Sequence, residues 1–132
     1  GYFGLRFDSL KLTEAPVYEK APLESGMRYA VATFTAKNIF SKKVNTFDLY
    51  AGQNEAIIVT DTDGKTYKVT GDANYAFRHP TQDALLEGQE LDLNQEVTYR
   101  YIFQVPKTAR LASITFGQNR YGHIYKLNLG KL

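Results

Sequence analysis

The chain predicts an all-β fold, an antiparallel β-sandwich of about seven to eight strands, and three observations carry that prediction. Apolar and polar residues alternate over most of the sequence at a period of two, which puts every second side chain on one face of a strand. The aromatic fraction is 14%, supplied by ten Tyr and eight Phe without a single Trp, and these residue types suit a pleated, half-buried surface. Turn residues recur at short intervals with neither a βαβ rhythm nor a detectable repeat, so two antiparallel sheets face to face are the natural packing.

Val97 to Val105 is the most informative segment. Its bulky residues at 97, 99, 101, 103 and 105 point one way if the chain is extended, and Pro106 stops the run. Such a face needs a second apolar layer to cover it. Earlier in the chain, Leu5 and Phe7 share one parity and Leu10 and Leu12 the other, which predicts a first strand that changes face at Asp8-Ser9 through a bulge. Residues 13 to 27, with Pro16, Pro22 and Gly26, read as a turn-rich connection. Arg28 to Asn38 sets Ala30, Ala32, Phe34 and Ala36 against Tyr29, Val31, Thr33 and Thr35, and the small side chains let an opposing layer come close. The basic turn Ser41-Lys42-Lys43 leads into a strand over Val44 to Tyr50. Ala56 to Thr60, Asp61-Thr62-Asp63-Gly64-Lys65 and Thr66 to Val69 form a hairpin in which Gly64 supplies a positive φ. Residues 70 to 92 break the rhythm, with at most a short helical turn near 81–87 between Pro80 and Gly88. Alternation returns in Leu111 to Phe116 and Ile124 to Leu129.

Length and composition set the outer bounds. A chain of 132 residues fits one domain, 1–132, with enough core to need no disulfide or metal staple. There is no cysteine, which excludes catalytic thiols and thiolate zinc sites. The formal charge is +2, from 16 basic and 14 acidic residues, so a polyanion-binding field would have to be local. No apolar run reaches transmembrane length. The chain begins at Gly1 and its one methionine is Met27; a processed, exported protein whose leader or lipid anchor has been removed suits that start.

The order of these segments resembles a known family. A long strand ending in Lys37-Asn38, the Asp63-Gly64-Lys65-x-Tyr67 hairpin, the step Leu93-Asn94-Gln95-Glu96-Val97 into Tyr101-Ile102-Phe103-Gln104-Val105-Pro106-Lys107, and Leu111-x-x-Ile114-x-Phe116 are similar to an immunoglobulin-like family of uncharacterised domains common in exported bacterial lipoproteins. The likeness runs from about Leu5 to Phe116. Where that family usually carries Pro-Gly, this chain has Asn94-Gln95. The resemblance implies an immunoglobulin-like β-sandwich displayed outside the cytoplasm, secreted or anchored at the cell surface, with no family-wide catalytic residues.

A search for chemistry finds little. His79 and His123 lack metal-ligand spacing and read as a loop histidine and a turn or strand-start histidine. Asp61 and Asp63 precede Gly64 too closely for a calcium loop, so the plain hairpin is preferred. Glu87, Glu90 and Asp92 cluster, but in a polar turn where solvent keeps them ionised, which disfavours glycoside hydrolysis. No serine sits in a strained strand-to-helix elbow. No cofactor is expected, and no enzymatic activity. Tyr99-Arg100-Tyr101, Arg120-Tyr121 and Tyr125-Lys126 interleave aromatic and basic residues as an oligonucleotide-binding surface would, yet Tyr99 and Tyr101 are more simply core, and nucleic acid is not the expected partner.

The recognition surface expected from the sequence is the long connection at Tyr75, Phe77, Arg78 and His79, together with Arg120 and Tyr121 in the Gly117 to Gly122 loop. Long loops in a compact domain bind something or cover a sheet edge. The function expected is therefore that of a non-catalytic interaction module of an exported or cell-surface protein, binding a protein or glycan through loops on a rigid scaffold. The alternative is a small-ligand or carbohydrate-binding module that uses exposed tyrosines.

Overall fold

The computed structural model describes residues 3–15, 22–45, 57–69, 90–118 and 123–130. Among them run nine strand segments and no helix: β1 (Phe3–Thr13), β2 (Met27–Asn38), β3 (Val44–Asn45), β4 (Ile58–Asp61), β5 (Thr66–Lys68), β6 (Glu90–Leu91), β7 (Glu96–Pro106), β8 (Leu111–Gln118) and β9 (His123–Asn128). They form a three-stranded sheet β1-β2-β7, a four-stranded sheet β5-β4-β8-β9 and a short β3-β6 bridge, with every pairing antiparallel. The helical turn expected near 81–87 and most of the strand expected over Val44 to Tyr50 lie outside the described residues.

Alternation decides which side chains lie between the two larger sheets. On β7, Val97, Tyr99, Tyr101, Phe103 and Val105 are all buried, as their shared parity requires. β2 contributes Ala30, Ala32, Phe34 and Ala36, each at most 1% exposed. The three alanines leave room for the aromatic rings of β7. Phe34 fills that space, stacking on Tyr99 at 5.6 Å and meeting Phe116 of the opposite sheet at 5.0 Å. Val59, Leu111, Ile114 and Phe116 complete the core from the four-stranded sheet.

The change of face in β1 occurs where the sequence places it. Register shifts between Phe7 and Ser9, so Asp8 is the extra residue of a bulge. Leu5 and Phe7 before it and Leu10 and Leu12 after it therefore all pack on the same core. The β4-β5 hairpin is likewise as read: Asp61 N donates to Lys65 O at 2.9 Å, Gly64 N donates to Asp61 O at 3.1 Å, and Gly64 holds φ at 86°. That is a tight turn closed by a left-handed residue, a conformation glycine adopts without a Cβ clash.

Two local devices were not foreseen. Gln104 on the outer face of β7 clasps the 22–26 connection, accepting from Glu24 N at 3.1 Å and donating to Pro22 O at 3.0 Å. Leu23 is thereby packed over Tyr29 and Ile102, a second, smaller apolar cluster on the outside of the three-stranded sheet. At the opposite end of β2, Asn38 is fully buried. Its Nδ2 donates to Leu91 O at 2.9 Å and Lys42 O at 3.0 Å, and its Oδ1 accepts from Phe40 N at 2.7 Å. Its backbone pairs with Asn94 and Gln95. One side chain thus ties the end of β2 to the 40–42 turn and to β6. The turn from β6 to β7 closes with Gln95 N on Asp92 O at 3.0 Å and holds Asn94 at φ 69°, where asparagine is the usual substitute for glycine.

Candidate interaction surfaces

The loop residues singled out from the sequence, Tyr75, Phe77, Arg78 and His79 and the pair Arg120 and Tyr121, lie outside the described residues. Glu87 of the acidic cluster lies outside them as well. The remaining sequence candidates are placed. Tyr99 and Tyr101 are core, fully buried, so the aromatic-basic alternation of β7 presents no ring to solvent. His123 starts β9. Glu90 and Asp92 are exposed around the β6 bridge, with Asp92 3.9 Å from Lys43.

The Asp61 carboxylate is spent on its own hairpin. Oδ1 accepts from Asp63 N and Lys65 N, each at 2.9 Å, and Oδ2 accepts from the Tyr67 hydroxyl at 2.7 Å. That hydroxyl bond, reinforced by the two backbone N–H groups, outweighs burial and lowers the Asp61 pKa. Burial, the same bond and the charges of Asp61 and Asp63 push Tyr67 up to about 12. With both oxygens occupied, the turn reading holds, and no group of three or more His, Cys, Asp or Glu suited to a metal occurs among the described residues.

On the outer face of the three-stranded sheet, Thr35 is the centre of a polar network. It donates to Asp8 Oδ2 at 2.6 Å, accepts from Arg6 Nη2 at 3.2 Å and lies 3.2 Å from Thr98 Oγ1. Arg6 Nε is 2.6 Å from Asp8 Oδ1. The bulge residue is thus the counter-ion of Arg6. Beside the network, Gly4, Leu5, Arg6, Thr35, Lys37 and Glu96 line a shallow groove of about 220 Å³. Its charges are mixed and Arg6 is already paired, so it has no strong preference for an anion or a cation.

The edge strand β9 is different. Tyr125 and Leu127 pair with Phe116 and Ile114 and so share the core-facing parity, yet they are 53% and 38% exposed. The cause, among the described residues, is the unequal width of the sheets. Phe7 of β1 reaches Phe116 of β8 at a ring distance of 6.3 Å, and β5 lies against β7, so β9 extends past the β1 edge with no described strand opposite. Ile124, on the other face, is 47% exposed. Every residue from Ile124 to Asn128 is exposed. In the sequence, Tyr125 and Lys126 stand out as an aromatic-basic pair inside the strand expected over Ile124 to Leu129; the adjacent apolar residues Ile124 and Tyr125, of opposite parity, are the signal of a strand apolar on both sides.

No family model matches the chain, and no curated relative matches it. Solved structures do resemble it. An uncharacterised β-sandwich protein of Clostridium difficile 630 aligns over 97% of this chain and 85% of its own, with 16% identity and a TM-score of 0.61. The fold is a β-sandwich. A hypothetical protein of Bacillus anthracis covers 96% and 88% at 13% identity and TM-score 0.59. A candidate lipoprotein of Bacillus subtilis aligns over 96% of this chain at 14% identity and TM-score 0.55, and there the chain spans 36% of the longer protein. At these identities the likeness shows the fold alone.

Proposed function

We propose that this β-sandwich is a non-catalytic interaction module of an exported or cell-surface protein, immunoglobulin-like in arrangement, which binds a protein partner through surface elements held by a rigid core. The observation that carries this reading is β9, with Ile124, Tyr125 and Leu127 open to solvent and, among the described residues, the edge of its sheet, with no strand on the side away from β8. The buried polar groups Asn38, Thr35 and Asp61 support it from the other side, since each is engaged in hydrogen bonds that hold turns or strands. The extracytoplasmic setting is supported by the family resemblance and by the lipoprotein description of one structural neighbour. Arg120 and Tyr121, which precede β9 in the sequence, and Tyr75, Phe77, Arg78 and His79 remain the loop candidates.

The test is comparative capture from a cell-envelope fraction of the source organism by the immobilised domain and by Tyr125→Lys. Proteins retained by the wild type and reduced at least tenfold with the variant, at unchanged melting temperature, are the expected result; equal retention overturns the β9 reading. Loss with Tyr75→Ala/Arg78→Ala instead would move the surface to the long loop. The carbohydrate alternative rests on Tyr125, the exposed tyrosine among the described residues, and predicts glycan-array binding that Tyr125→Ala abolishes.

A further inference from the structure

The outward-facing backbone groups of β9 can be assigned. Leu129 N donates to Ala112 O at 2.8 Å, and Ala112 and Leu129 continue the β8-β9 register of Ser113 with Asn128. Because hydrogen-bonded and non-bonded pairs alternate along an antiparallel ladder, Leu127 and Tyr125 also direct their N–H and C=O toward β8. Ile124, Lys126 and Asn128 direct theirs away from it, to the side where no described strand pairs with β9.

The edges of the two larger sheets are not equally guarded. β1 carries the Asp8 bulge with exposed Arg6 and Lys11, and β5 is three residues long with exposed Lys68. On β7 only Glu96 is exposed, and Pro106 ends it. Bulges, short length, charge and proline are the devices that stop edge-to-edge pairing. β9 has a continuous register, no proline and Lys126 as the one charge among its exposed residues.

We propose that a second copy of the chain pairs with β9 about a two-fold axis, joining two four-stranded sheets into one. This rests on β9 being an interaction surface, and it names the partner. Geometry restricts the register. An added antiparallel strand must pair outward-facing residues with outward-facing ones, so slips by one residue are forbidden. Two symmetric registers keep the most of β9 paired. In one, Lys126 lies directly opposite Lys126 of the second copy, and like charges facing each other are destabilising. In the other, Tyr125 lies opposite Tyr125 of the second copy as a non-bonded pair, with Ile124 beside Lys126 on the reverse face, where the aliphatic stem of the lysine covers the isoleucine. The second register is the one assigned. Both tyrosine rings then meet on the side that no described strand of the opposite sheet covers. The paired segment runs from His123 to Leu127, too short for the ~1,200 Å² of a stable interface, so the dimer is weak.

Because the chain has no cysteine, single-cysteine trapping tests the register directly. Non-bonded antiparallel pairs bring Cα atoms to about 4.5 Å, within disulfide range. Under mild oxidation at about 0.5 mM, Tyr125→Cys is expected to form a covalent dimer at least tenfold faster than Leu127→Cys or the exposed-turn control Ser41→Cys. Lys126→Cys crosslinking fastest would overturn the register. Wild-type protein is expected to sediment with a concentration-dependent dimer fraction between about 10 µM and 1 mM, and amide exchange at Ile124 and Lys126 is expected to slow at least threefold across that range. Monomeric sedimentation throughout, with Tyr125→Cys no faster than the control, would overturn the dimer; envelope capture that Tyr125→Lys still abolishes would then leave β9 as the surface for a different protein.

Discussion

Replacing Asn38 by Ala and by Asp separates the two jobs of its buried carboxamide. The Ala variant strips partners from the Leu91 and Lys42 carbonyls and the Phe40 amide, bonded at 2.9, 3.0 and 2.7 Å in the native protein. A buried polar group left unmade costs about 1 to 3 kcal/mol. The Leu91 bond is wholly buried and the other two partly so, and the sum is about 3 to 5 kcal/mol, a large share of the ~10 kcal/mol a domain of this size holds. The Asp variant keeps the acceptor for Phe40 but turns a second oxygen toward two carbonyls. Burial and that repulsion both disfavour the anion, so its carboxyl pKa rises above the ordinary ~3.9. The folded state then holds a proton that the unfolded state has released. The variant's stability relative to wild type is greatest below about pH 4 and is lost as pH rises through the raised folded value. Urea unfolding followed by tyrosine fluorescence at pH 4 and pH 8 reads both effects. We expect a deficit of about 3 to 5 kcal/mol for Asn38→Ala, equal at the two pH values, and a deficit for Asn38→Asp larger at pH 8 by about 1.4 kcal/mol or more, the equivalent of one pKa unit. An Ala deficit under about 1 kcal/mol, or an Asp deficit flat with pH, would refute the assignment of Asn38 as the staple.

The Asp61-Tyr67 pair makes the β4-β5 hairpin sensitive at both ends of the pH scale. Asp61 is depressed, so its contribution is present above about pH 4 and is lost as pH falls through the folded value; Tyr67 is raised to about 12, so its contribution is present below about pH 10 and is lost between pH 10 and 12. Tyr67→Phe should lower the melting temperature by a few degrees at pH 7 and reduce the alkaline loss, measured by melts across pH. At Ala32, fully buried opposite Leu10 and Tyr101, Ala32→Leu should cost about 1 to 3 kcal/mol by overpacking, whereas Phe34→Ala should cost about 3 to 5 by cavity formation; denaturant titration distinguishes the two from surface controls. Asn94 at φ 69° should tolerate Gly within about 0.5 kcal/mol and lose about 1 to 2 with Val, because a β-branched residue resists that conformation.

What could be read from the residues was local in origin. The odd-numbered face of β7, the bulge in β1 and the Gly64 turn each follow from spacing within a dozen residues, and each stands where it was expected. Asn38 could not be read that way. Its partners are Phe40 and Lys42, just beyond the strand, and Leu91, which only sheet pairing brings near. The exposure of Tyr125 and Leu127 was equally hidden, because their parity says core and only the arrangement of the described strands in the opposite sheet says otherwise. Ile102 shows the converse: its parity places it with Arg100 on the outer face, yet the Gln104 clasp brings Leu23 over it.

The Asp8 bulge bears on how this strand tolerates changes of length. Strike out that one residue and Leu5, Phe7, Leu10 and Leu12 fall into a single unbroken alternation, so each keeps its present side of the sheet without any neighbour turning over. Elsewhere in β1 or β2 the loss of one residue would invert everything downstream of it. The first strand therefore has one site where a codon can be lost from the gene without scrambling the interior, at the expense of the acid that neutralises Arg6.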